Sequence, residues 1–121
     1  MGIDSHGNVL IQEDPGNNNH IARIVAYRIS DGALGVVARF DSTLFGPGAT
    51  TDPDRLTIDE ESSWIIDTEA FLGAGTFLLD AQIHTAKALP AGTGPGTVGE
   101  FVERGQLLAL KVDDWSAVYG D

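Results

Sequence analysis

Apolar and polar positions alternate in short runs that end in turn residues, the pattern of an antiparallel β protein. Asn8 to Glu13 (NVLIQE) is an apolar run between Gly7 and Asp14-Pro15-Gly16, and it predicts a strand that stops abruptly. In Ile21 to Ile29 (IARIVAYRI), Ile21, Val25, Tyr27 and Ile29 share one face with Arg23, and Ala22, Ile24 and Ala26 share the other with Arg28. Both faces are largely apolar, so the strand is expected inside a sheet. Ser30-Asp31-Gly32 then offers turn chemistry before Leu34 to Phe40, and the pair predicts an antiparallel hairpin. Ser63 to Ile66, Thr76 to Ile83 and Gly105 to Val112 read as three further strands. Glu69 to Leu72 predicts one helical turn, and Asp113 is placed as the cap of a short last helix running to Tyr119.

Between these elements lie two Gly- and Pro-rich stretches, a long loop from Asp41 to Asp54 and a surface excursion from Ala86 to Gly99. Gly7-Asn-Val-Leu-Ile, Gly75-Thr-Phe-Leu-Leu and Gly105-Gln-Leu-Leu-Ala repeat one theme, a turn glycine and a polar residue feeding an apolar triplet. The expected fold is a single all-β domain over 1–121. It is antiparallel and consists of about two propeller-like blades of short strands, with long Gly/Pro-rich loops and a short C-terminal helix.

Charge narrows the partners. With 18 Asp and Glu against 7 Lys and Arg, the 121-residue chain carries a net charge of -11, which repels nucleic-acid backbones and anionic membranes and favours cations. The chain has no cysteine, so thiol chemistry and Cys-ligated metals are excluded. Met1 to Val9 lacks the basic and apolar segments of a signal peptide, and no apolar run approaches the roughly 20 residues that cross a bilayer.

The acid is clustered. Glu13-Asp14-Pro15-Gly16-Asn17-Asn18-Asn19-His20 gathers oxygen donors in a turn, as Ca²⁺ requires and as an ordinary Asx-rich turn also supplies. Asp59-Glu60-Glu61 crowds three carboxylates before a strand; converging, they would need a cation, a proton or a basic partner, and splayed into water they would need none. The candidate metal ligands are therefore Glu13, Asp14, Asn17, Asp59, Glu60 and Glu61. Asp80, Gln82 and His84 alternate along one strand and form a candidate polar face. No nucleophile elbow, zinc-protease helix, phosphate loop or dinucleotide fingerprint is present. Gly92-Thr-Gly-Pro-Gly neither follows a strand nor opens a helix, and Ser62 and Ser63 have no histidine base nearby in sequence.

Four segments in order, Gly7 to Asn18, Asp59-Glu-Glu-Ser-Ser with Ile65-Ile-Asp, Phe77 to His84 and Glu103 to Leu110, resemble the C-terminal part of PhoX-type alkaline phosphatase-like proteins. The resemblance implies a β-propeller and, for that family's phosphatases, calcium and iron at a phosphoester-hydrolysing centre in the central channel, in proteins often exported. It would put Glu13, Asp14 and Asp59 to Glu61 at channel-facing positions. The family domain is several times longer, so this chain matches about two blades, and it carries Trp64 where the family favours glycine. The expectation is a module that is non-catalytic alone, with calcium-binding acidic turns, assembling as a homo-oligomer. The alternatives are a metal-dependent phosphoester hydrolase completed by neighbouring copies, and a plain protein-interaction module.

Overall fold

The computed structural model describes residues 1–16, 19–45, 58–84 and 103–121, with the side chains of 84 and 103–105 outside that description. The described chain forms two antiparallel sheets and two short helices. The first sheet is a meander of β1 (Gly2–Ile3), β2 (Asn8–Gln12), β3 (Arg23–Arg28) and β4 (Leu34–Arg39), hydrogen-bonded in chain order. The expected hairpin is β3–β4. Its turn has Gly32 at φ 79°, and Asp31 Oδ1 accepts the Ala33 N–H at 3.1 Å. A bulge between Ile24 and Val25 lets two residues of β4 face one of β3, which brings both Val37 and Ala38 against the core.

The second sheet comprises β5 (Glu60–Glu61), β6 (Ile65–Asp67), β7 (Thr76–His84) and β8 (Glu103–Lys111). Strand β8 follows β7 along its whole length, so β5 and β6 share β7's other edge as one interrupted strand. The interruption has a cause. Between the pairs Glu61–Gln82 and Ile65–Leu79 the β5–β6 side holds one more residue than β7, and Asp80 Oδ1 accepts the N–H groups of Ser63 and Trp64, both at 2.9 Å.

The two sheets meet through their inner faces. Leu10 and Ile24 from the first sheet pack with Ile65, Phe77 and Leu79 from the second and with Val112. At β1 the backbones come very close, since a Cβ on Gly2 would lie 2.6 Å from the Ile65 carbonyl oxygen. The helix α1 (Glu69–Leu72) is the expected single turn. The last helix, α2 (Trp115–Tyr119), returns from the second sheet onto β4, where Gly35 leaves room that any Cβ would fill, 2.1 Å from the Val118 carbonyl oxygen. Tyr119 donates its hydroxyl to Asn8 Oδ1 at 2.8 Å, and its ring lies under the Arg28 guanidinium, which also pairs with Asp31 and Asp121.

Several expectations need amending. The cap of α2 is Asp114, not Asp113: its Oδ1 accepts the Ser116 N–H at 2.9 Å, while Asp113 pairs with Lys111 at 2.8 Å. Strands β1 and β5 were not expected, because two residues are too few to display alternation. The loop from Asp41 begins with an Asx turn, Asp41 Oδ1 accepting from Thr43, and then buries Phe45 against Phe40; its remainder from residue 46 lies outside the described residues, as does the whole of 86–99.

Candidate functional site

Glu13 sits just after β2, where its own N–H donates to the Arg23 carbonyl at 3.0 Å. That pairing brings the two side chains together. Arg23 meets the carboxylate with a fork, Nε to Oε2 at 2.9 Å and Nη2 to Oε1 at 2.6 Å, and the Arg23 backbone N–H adds a bond to Oε2 at 3.0 Å. His20 Nε2 lies 2.8 Å from the same Oε2. The hydrogen bonds from Arg23, opposed by partial burial and helped by His20, hold the Glu13 carboxyl at about 2, well below its usual 4.5. Asp14 turns back on its own segment, its Oδ1 accepting the Gly16 N–H at 3.0 Å. Asn17 lies outside the described residues.

The second acidic cluster splits by strand alternation. Glu60 points between the sheets with 1% of its surface exposed, whereas Asp59 and Glu61 flank it on the partly exposed side. Glu60 Oε1 accepts the Ala22 N–H at 3.0 Å, and its Oε2 is buried with no partner among the described residues. Gln12, which carries no signal in the sequence, joins the two sheets. Its Nε2 donates to Ser62 Oγ and, at 2.9 Å, to the Trp64 carbonyl, and this fixes the amide so that its Oε1 is also buried and unpartnered. Ser62 in turn donates to the Asp80 carbonyl at 2.5 Å. Beside this group lies an apolar cavity of about 130 Å³ whose walls include Ala22, Ile24, Phe40, Ser62, Leu79 and Leu108.

Asp80 and Gln82 do lie on one face of β7, the outer one, with His84 at the next matching position and its side chain outside the description. Asp80 is occupied by the two N–H groups of the interruption. Away from these, Glu69 accepts the Ser5 hydroxyl at 2.8 Å and faces His6 Nε2 at 3.1 Å, so its carboxyl is held below the ordinary value, chiefly by Ser5.

Among the described residues no three His, Asp or Glu side chains are grouped so as to hold a metal ion, and Glu13 is ion-paired to Arg23. Two oxygens, Glu60 Oε2 and Gln12 Oε1, remain as acceptors in search of a positive or donor group. They are two of the six to eight that calcium takes.

One further surface was invisible in the sequence. The outer face of the second sheet sets Ile66, Leu78 and Ala109 in one row and Trp64, Asp80 and Leu107 in the next, with Ile66 56% and Leu107 65% exposed.

Fold and site together define an all-β antiparallel protein with a polar cluster between its sheets and an uncovered apolar sheet face. No protein-family model, no curated protein and no solved structure matches the chain.

Proposed function

We propose that this protein is a non-catalytic β-module that works by association with a second copy of itself through its second sheet, whose outer face carries exposed apolar side chains. The observation that carries this reading is the exposed row of Trp64, Ile66, Leu107 and Ala109. Contiguous apolar surface exposed on a sheet marks a site of association. The carboxylates with the strongest interactions support the same reading, since Glu13 and Asp80 hold backbone and side chains of their own fold.

The charge of -11 opposes association of like copies, and salt relieves that repulsion. Sedimentation velocity from about 1 to 200 µM protein should show a monomer giving way to a larger species, more readily at about 0.2 M salt than at 0.02 M, where the screening length is roughly three times longer. A monomer at every concentration and both salts would overturn the proposal.

Calcium enters the proposal at Glu60 alone, one of whose carboxylate oxygens is buried without a partner among the described residues.

A further inference from the structure

We infer that the second copy docks on β8, edge to edge, so that the second sheet of one molecule runs on through β8 into the second sheet of the other. The inference rests on the association proposed above and names the strand and register that make it.

Strand β8 is nine residues long and, among the described residues, pairs only with β7, in unbroken register from Glu103–His84 to Lys111–Thr76. Among the described residues no strand lies along its other edge, which presents a row of backbone donors and acceptors. Sheet edges are ordinarily blunted by brevity, a bulge, a proline or an inward charge. Strand β8 has none of these over Gln106 to Leu110 (QLLAL), and Leu107, Leu108 and Ala109 are exposed.

The sequence of β8 also selects its partner. An antiparallel two-fold through Leu107 pairs all nine residues with their counterparts: Gln106 opposite Leu108, Gly105 opposite Ala109, Arg104 opposite Leu110 and Glu103 opposite Lys111. Acid thus faces base at both ends of the ladder, and no like charges face each other. A nine-residue antiparallel ladder makes about eight to ten inter-strand hydrogen bonds, as many as a typical protein interface carries in total. The two-fold is isologous and closes at two copies. It stands perpendicular to the sheet, so the two outer faces become continuous and each Leu107 covers the other.

The native chain has no cysteine, which makes the register directly readable. A Leu107→Cys variant places two thiols across the axis, within the about 4.5–5.5 Å that separates directly opposed cross-strand Cβ atoms. A short bifunctional thiol reagent should convert most of this variant to covalent dimer, while Ile3→Cys, on β1 of the other sheet, should stay monomeric. Leu107→Lys should weaken the dimer at least tenfold in sedimentation with an unchanged circular dichroism spectrum, and Phe71→Ser, on α1, should leave it intact. Association without crosslinking at position 107, or insensitivity to Leu107→Lys, overturns the β8 register and leaves the proposed association standing; absence of any association overturns both.

Discussion

Replacing Glu13 by glutamine removes the negative charge from a site where one side chain receives a guanidinium fork, a backbone N–H and a histidine. The size of the loss follows from the proton. A carboxyl lowered from 4.5 to about 2 by its folded surroundings is favoured in its ionised form by at most roughly 3.5 kcal/mol, at about 1.4 kcal/mol for each factor of ten. Water still reaches a quarter of the Glu13 side chain and more of Arg23, and partly exposed pairs return much less than their ceiling. We expect Glu13→Gln to cost about 1–2 kcal/mol at pH 7, read from urea unfolding followed by tryptophan fluorescence.

The pH dependence gives the sharper criterion. Because the folded-state value is depressed, the contribution is complete above the unfolded value of 4.5 and is lost as pH falls through about 2. The gap between native and variant should therefore be widest from pH 5 upward and close near pH 2. A variant as stable as the native chain at pH 7, or a deficit undiminished at pH 2, would refute the assignment of Glu13 as a structural anion for Arg23.

Asp80→Ala strips the acceptor from two N–H groups at the break between β5 and β6, and at this exposed site it should cost about 1–2 kcal/mol and shift the Trp64 emission, while Asp80→Asn, which keeps an acceptor, should cost less than half of that. An Asp80→Ala protein with native stability and emission would show that the interruption holds itself. If Glu60 Oε2 takes calcium, 1 mM CaCl₂ against a dissociation constant near 10 µM should stabilise the fold by about 2.7 kcal/mol over EDTA, and Glu60→Gln should erase the gain. Identical melting curves in EDTA and CaCl₂ would remove calcium from the proposal.

Strand runs were legible where alternation lasted. Asn8 to Glu13, Ile21 to Ile29, Leu34 to Phe40 and Thr76 to Ile83 each appear within two residues of their expected ends, because period-two burial over five or more residues is a strong local signal. Strands β1 and β5 exist for non-local reasons: β1 is fixed by Leu10 and Val9 opposite it and by the close approach of Gly2 to Ile65, and β5 by two residues of β7. No local pattern announces such pairings. The misplaced helix cap is a different failure. Asp113 and Asp114 are equally good caps by type, and which of them serves is decided by Lys111, which draws Asp113 away.

The site was legible as a list of acids and illegible as an arrangement. Clustering in sequence suggests convergence, but strand alternation sends Glu60 inward and its neighbours outward, and the β2–β3 register, which sets Glu13 opposite Arg23 ten residues on, hands that carboxylate to Arg23. Gln12 and Ser62, bonded to each other across the sheets, carry no sequence signal because an amide and a hydroxyl become informative only once the sheets enclose them. Leu107 shows the reverse case. In the sequence it is one residue of an apolar run that reads as core, and on β8 it lies on the side of the sheet away from Phe77 and Leu79. Alternation turns Leu108 and Leu110 to the inner side, where Leu110 packs against the core, and leaves Leu107 on the outer face. The same arithmetic applies to Ile66 between Ile65 and Asp67. Apolar residues on consecutive positions of β6 and β8 therefore mark a sheet with apolar side chains on both faces, of which the inner one packs into the core.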